Sequence, residues 1–352
     1  KIKCMYLEQV NHIINTITCN GRYGLPKVFK FCCLKLMRSF CMKNLKYVFG
    51  DPPESGKIKE IWPGIYWLRM PLPMALNHIN LWLLHDYSGW TLVDTGLSSK
   101  LSISLWQKLI DEYMEDRKLK RIIVTHFHPD HVGMAGWLVK NTGADLWMPR
   151  TEWLYARLLT IDTSKESASG IVEYYRRAGG SIEYLSKLKE RGPLFPGIVS
   201  DVPRQMHRII DGQIIDINGE TWKVVMGNGH SPEHACLLCD SLGCFIAGDL
   251  VLPRISPHIG VYADEPDGNP LRDYMETLSR FANLPGEVTV LPSHNEPFLG
   301  LHERRVSLIQ HHLDRLEEFV NACTVPITAI EVASNVFKRS LDSSQLGLFG
   351  SI

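Results

Sequence analysis

The run Thr125-His126-Phe127-His128-Pro129-Asp130-His131 places three imidazoles and a carboxylate within six residues. Imidazole nitrogen and carboxylate oxygen are the donors that zinc and similar divalent ions take. The run follows an apolar stretch at 121–124 that reads as a short buried strand. It precedes a helix expected over 132–140, so the cluster falls on a turn. Alternate side chains of extended backbone share a face. His126 and His128 can therefore point toward one ion, while Asp130 and His131, past the turn, can face a second.

One loop of this size cannot close two ion sites, and later positions supply further donors. Each comes at the end of an apolar strand pattern. The stretch 221–226 leads into Gly227-Asn228-Gly229-His230, and 244–247 leads into Gly248-Asp249. The stretch 288–291 leads into Pro292-Ser293-His294, and, earlier, 90–93 leads into Asp94-Thr95-Gly96. Donors at strand ends gather along one edge of a sheet, on a rigid base, with loops supplying the reach.

The elements that must position these donors read as a layered α/β domain with mixed sheets. Strand patterns at 65–70, 80–85 and 90–93 follow one another, with a turn at Asp86 to Gly89, as antiparallel neighbours do. Ile103, Trp106, Leu109, Ile110 and Tyr113 recur at helical spacing, which predicts a helix over 102–117. A charged helical insertion is expected over 151–192, with a break around 164–170. Its aromatics Trp153, Tyr155, Tyr174, Tyr175 and Tyr184 fit either a solvated insertion or a lid over the donors. The loop 68–76, apolar and stiffened by proline, is a second candidate wall. Strand patterns return at 213–217, 221–226, 243–247 and 287–291, with a helix between the last two. From His302 the chain turns helical, over 302–322 and 328–339. The expected division is a basic extension at 1–50, a catalytic domain at 51–300, and a helical appendage at 301–352.

The 352 residues carry 38 Lys/Arg and 38 Asp/Glu, and 45% are hydrophobic, an ordinary globular balance with material for a large core. The zero net charge hides an asymmetry. Residues 1–50 hold nine Lys/Arg against one acid, Glu8, a net of +8, which leaves −8 for the remainder. Cys4, Cys19, Cys32, Cys33 and Cys41 lie in the same segment, and an odd total of nine cysteines does not read as a disulfide framework. Reduced thiols and a cytoplasmic location are therefore expected, with organelle targeting by the basic segment as the alternative. The start at Lys1 reads as a fragment or a processed chain. No apolar run reaches the length of a membrane-spanning helix. Cys236 and Cys239 have a Cys-x-x-Cys spacing, but no second pair follows at a finger-like distance, so they read as core thiols alongside Cys244.

The His-x-His-x-Asp-His signature, with the later His230, Asp249 and His294, resembles the metallo-β-lactamase-fold superfamily over roughly residues 63–297. The resemblance implies a four-layer αββα sandwich with its site at one edge of two sheets. It assigns His126, His128 and His230 to one ion and Asp130, His131 and His294 to the other, with Asp249 bridging. Asp94 matches the aspartate that supports the site from behind the ligands. His128 departs from flavodiiron proteins, which have a glutamate there. Asp249 departs from the superfamily's β-lactamases, which lack this bridging carboxylate. The pattern is similar to glyoxalase II-like, lactonase-like and nuclease-like hydrolases, above all to the lactamase-β-2-like branch. That branch carries a winged-helix-like C-terminal appendage, expected here to be truncated.

These features imply a hydrolase with two divalent ions, zinc first and iron or manganese as alternatives. A hydroxide between the ions would attack a small ester, thioester or lactone, and Asp130 would orient it and shuttle its proton. A small-molecule substrate is expected rather than nucleic acid, because a nuclease needs a basic groove and the catalytic region is acidic. The alternatives are a metal-dependent phosphodiesterase or nuclease, a mononuclear iron dioxygenase, and a non-catalytic binding protein. His234 fits either a substrate-facing group or a structural histidine and stays outside the ligand set. Tyr262 and His258 are candidates to line the cleft.

Overall fold

The structure is a computed structural model, and it describes residues 45–337 except Ser88. The cysteines at 4–41, most of the basic extension and the end of the appendage lie outside the described residues. Two seven-stranded sheets form the centre. The first contains β2 (Ile58–Trp62), β3 (Ile65–Pro71), β4 (His78–Asp86), β5 (Gly89–Val93), β6 (Leu119–Ile123), β7 (Asp145–Met148) and β8 (His207–Arg208), neighbours in that order. The second contains β1 (Lys46–Tyr47), β14 (Phe298–Leu299), β13 (Thr289–Pro292), β12 (Cys244–Gly248), β11 (His234–Cys239), β10 (Glu220–Gly227) and β9 (Ile214–Ile217), again in order of pairing. Lys46 and Tyr47, inside the segment read as extension, pair with Leu299 and Phe298, so this sheet starts before residue 50.

Alternation along the strands explains the layers. In β3, Ile65 and Trp67 point between the sheets, while Leu68 and Met70 point to the outer face. Trp82 and Val93 join Trp67 between the sheets, opposite Trp222, Val224, Leu237, Ile246 and Leu291 of the second sheet. The outer face of the first sheet is covered by α1 (Lys100–Tyr113), through Trp106 and Leu109, and by α3 (Ala135–Thr142), through Leu138. The outer face of the second, with Phe245 and Val290, is covered by α8 (Pro270–Arg280) and α9 (Leu301–Ala322), through Tyr274, Leu278 and Leu308. Three apolar layers thus separate four layers of structure, the expected αββα sandwich.

Local chemistry accounts for the differences from the sequence reading. The single helix expected over 132–140 is two helices, α2 (Pro129–Val132) and α3. Proline at the first position starts α2. The break falls at Gly133, where a Cβ would lie 2.6 Å from the Gly96 carbonyl oxygen and 2.8 Å from the Ser98 nitrogen. The insertion consists of α4 (Arg150–Ile161), α5 (Lys165–Arg177), α6 (Ile182–Arg191) and α7 (Phe195–Ile198). Its break comes earlier than expected, because the Asp162 carboxylate accepts the Ser164 N–H at 3.1 Å and closes a turn there. β11 escapes the period-two pattern because all six of its residues are buried. The strands β1, β8 and β14 are two residues long and carry no readable pattern.

The helical appendage comprises the later part of α9 and α10 (Ala329–Val336). A reciprocal cap between Thr328 and Glu331 starts α10. The Ile330 N–H donates to the Ala178 carbonyl at 3.0 Å, so α10 is tied to the turn between α5 and α6. No helix among the described residues is long and apolar enough to cross a membrane.

Candidate metal centre

The strands that lead into the donors point the same way. β5 and β6 are parallel neighbours, as are β12 and β13, and β10 reaches β12 through two antiparallel steps. Their C-terminal ends meet at one edge of the sandwich. Asp94 follows β5, His126–His131 follow β6, His230 follows β10, Asp249 follows β12 and His294 follows β13. The loop after β5 is latched to the one after β6: the Thr95 N–H and hydroxyl donate to the His131 carbonyl at 2.9 and 2.6 Å, and the Met134 N–H donates to Gly96 O at 3.0 Å.

These loops bring His126, His128, Asp130, His131, His230, Asp249 and His294 together. Their donor atoms form three overlapping groups, each with all atoms within 4.8 Å of one another. His126 Nε2 lies 2.9 Å from His128 Nδ1 and 3.1 Å from His230 Nε2. On the other side, His294 Nε2 lies 3.4 Å from Asp130 Oδ2, and His131 Nε2 lies 3.7 Å from the same oxygen. Asp249 spans the two halves. Its Oδ2 is 3.4 Å from His230 Nε2, while its Oδ1 is 3.5 Å from both His131 Nε2 and His294 Nε2.

Each ring turns its other nitrogen to a partner outside the cluster. His131 Nδ1 contacts Asp94 Oδ2 at 2.8 Å, His230 Nδ1 the His258 carbonyl at 2.7 Å, and His294 Nδ1 the His78 carbonyl at 2.9 Å. A carbonyl only accepts, so those nitrogens carry the proton and the Nε2 of a neutral His230 or His294 ring offers a lone pair to the centre. His126 Nδ1 contacts Thr125 Oγ1 at 2.9 Å, and His128 Nε2 contacts the Tyr262 hydroxyl at 2.9 Å. Asp94 holds Thr125 as well, accepting its N–H at 2.8 Å.

The donor set fits divalent ions. Two ligands at about 2.0–2.1 Å on one tetrahedral ion lie about 3.3–3.4 Å apart, and less at a right angle. The spacings above are of that size, and the contacts to Asp130 and Asp249 are long for hydrogen bonds. His131 Nε2 and Asp249 Oδ1 are buried without a hydrogen-bond partner. Electrostatics agree. Burial, reinforced by neighbouring rings, pushes His126 and His128 well below the usual histidine range, into the neutral form that binds cations. Burial also opposes charge on His294, but the carboxylates of Asp249 and Asp130 outweigh it and raise the ring to about 10. The two carboxylates call for positive charge at this spot, which a divalent cation would supply.

His234, left open by the sequence, takes a supporting place. Its ring stacks on His126 at 4.7 Å, and its Nε2 accepts the Asp249 N–H at 3.1 Å. Gly248 is required beneath it: φ is +53°, and a Cβ would lie 2.3 Å from His234 Cε1. Sequence reasoning missed two supports. Asn80 donates to the carbonyls of Pro292 at 3.0 Å and Asn295 at 2.6 Å, fixing the turn that carries His294. Its signal was present, a lone amide inside the apolar Ile79-Asn80-Leu81-Trp82. Glu152 is buried against the loops of His126 and His230, and nothing in its sequence context marks it. Of the insertion's aromatics, Trp153 and Tyr155 pack against the first sheet's core, with Tyr155 5.3 Å from the Phe127 ring. Tyr174, Tyr175 and Tyr184 form a separate cluster, and the Tyr174 hydroxyl donates to Val261 O at 3.0 Å.

Comparison with known proteins agrees with this geometry. Residues 75–294 match the family described as the metallo-beta-lactamase superfamily. A solved β-lactamase domain protein from Burkholderia ambifaria is 37% identical, with a TM-score of 0.80, covering 90% of this chain and 91% of its own. A beta-lactamase-like protein 2 homolog from Caenorhabditis elegans is 22% identical over 77% of this chain and 74% of its own length. An atrochrysone carboxyl ACP thioesterase from Aspergillus fumigatus is 21% identical over 76% of this chain and 71% of its own.

Proposed function

The chain belongs to the metallo-beta-lactamase superfamily and is a metal-dependent hydrolase, and from this we propose that it holds two divalent ions and cleaves small thioesters, esters or lactones. The observation that carries the two-ion reading is the Asp249 carboxylate, with one oxygen toward the three-histidine side and the other toward His131 and His294. His126, His128 and His230 would hold one ion, Asp130, His131 and His294 the other, and Asp249 both. The nitrogen-rich donors favour zinc, with iron or manganese as alternatives. Bound there, the pair supplies a water acidified toward neutrality and a Lewis acid for the substrate's carbonyl oxygen.

The protein's own groups do the rest. The Asp130 side chain is 22% exposed against 9% for Asp249, and this more open of the two acids would orient the attacking water through the oxygen it does not give to the ion. Asp94 orients His131 and fixes its proton on Nδ1. The thioester reading draws support from the Aspergillus relative, whose name gives that activity. A phosphodiesterase is disfavoured by the net −8 of residues 51–352, and an iron dioxygenase with a single ion leaves Asp130, His131 and His294 unused.

The test is a substrate panel with the zinc-loaded protein: an acyl-glutathione thioester, an acyl lactone, and bis-p-nitrophenyl phosphate. Turnover of the thioester or lactone, abolished in a folded His128→Ala or Asp249→Ala protein, is expected. Hydrolysis of the phosphodiester alone would overturn the substrate class, and full activity in either variant would overturn the site.

A further inference from the structure

Glu152 is a fully buried carboxylate, 0% exposed, on the first turn of α4. It touches both loops of the three-histidine half without belonging to the donor set. Its Oε2 accepts the N–H of Phe127, the residue between His126 and His128, at 2.9 Å. Its Oε1 accepts the hydroxyl of Ser231, next to His230, at 2.9 Å and the Glu233 N–H at 2.6 Å. Glu233 returns the contact, its Oε2 accepting the Thr151 N–H of α4 at 2.9 Å. Burial pushes the Glu152 carboxyl up to about 7, against the pull of these same donors.

Only a carboxylate offers acceptors on both oxygens. A glutamine of the same shape must turn its NH2 toward either the Phe127 N–H or the Glu233 N–H, donor against donor. A shorter aspartate cannot span the loops. We propose that Glu152 is a positioning residue that sets the spacing of His126, His128 and His230, and so the affinity of that ion site, through the two loops it ties together. The proposal rests on the two-ion reading above.

The experiment is zinc titration of the full chain against a competing chelator, comparing wild type with Glu152→Gln. Residues that orient metal ligands typically contribute 10- to 100-fold in metal affinity. One zinc should therefore bind 10- to 100-fold more weakly, while the other stays within about threefold of wild type. A His294→Ala background assigns the loss: Glu152→Gln should weaken its remaining three-histidine site, and in a His230→Ala background it should change little. Ser231→Ala removes one of the three donors and should weaken the same site by about fivefold, the equivalent of one hydrogen bond, so the proposal stays testable if Glu152→Gln does not fold. Unchanged affinities in both variants, or equal weakening of both zincs, would overturn it. A wild-type protein that binds fewer than two zincs would instead overturn the two-ion reading.

Discussion

Asp94→Asn separates orientation from ligation, because Asp94 faces no ion yet fixes one of the proposed ligands. Its carboxylate accepts the Thr125 N–H at 2.8 Å on Oδ1, the Thr125 hydroxyl at 2.9–3.0 Å, and His131 Nδ1–H at 2.8 Å on Oδ2. The backbone sits at φ +60°, a region that asparagine tolerates, so the variant keeps the turn and the volume. If the amide oxygen stays on the Thr125 N–H, the NH2 faces His131 Nδ1–H. The ring can escape only by tilting or by moving its proton to Nε2, and either removes the lone pair meant for a cation. The lost contact is a hydrogen bond to a charged group, about 1.5–3 kcal/mol, which converts to roughly 10- to 150-fold in affinity. The turned-over amide instead leaves the buried Thr125 N–H unpaired, at about 1–3 kcal/mol. Zinc competition with a chromophoric chelator should therefore show one weakened ion, on the side of Asp130, His131 and His294, and a second close to wild type. Two ions held within threefold of wild type, or loss confined to the three-histidine side, would refute the role given to Asp94. Asp94→Ala is less informative, since it strands three buried donors at once.

Two further outcomes follow from the geometry. Gly248→Ala forces a Cβ to within 2.3 Å of the His234 ring at a left-handed φ, and should reduce stability by about 2–4 kcal/mol in urea denaturation while displacing Asp249 and cutting turnover. Stability within about 0.5 kcal/mol of wild type would show that the ring yields freely. The metal-stripped protein should be most stable near neutral pH. Burial lowers His258 and His312 to about 4, so the unfolded chain binds more protons below 6.5, and their contribution is present above 6.5 and lost as pH falls toward 4. His294, raised to about 10 by Asp249 and Asp130 against burial, contributes below 6.5, and that contribution is lost as pH rises through 10. Melting temperatures of chelator-treated protein between pH 4.5 and 9.5 should pass through a maximum, and a flat profile would contradict these shifts.

Much of the fold was legible because its physics is local. Val93, Val224, Ile246 and Leu291 lie in apolar strands, and each strand hands the chain to a loop bearing a donor. A dense cluster such as His126 to His131 has few other uses, and Asp249 and His294 repeat the same strand-then-donor order. What the sequence hid was support made through the backbone. The carbonyls of His78 and His258 hold His294 and His230 in place, and any residue there could provide them. Glu152 was invisible for a different reason. Its partners lie 25 to 81 residues away, and a glutamate near a helix start is ordinarily solvated. Asn80 could have been read, as a polar side chain in a strand too apolar to leave it unpaired. His234 was ambiguous because only the fold shows its ring accepting from Asp249 rather than facing the opening.

The central claim is that seven side chains from separate loops cage a pair of divalent ions. Elemental analysis of the purified chain after zinc loading and desalting, alongside Asp249→Ala and His294→Ala, tests it most directly. Two zincs per wild-type chain, falling to one or fewer in each variant, is the expected result. One zinc or none in the wild type, or two retained in both variants, would contradict it.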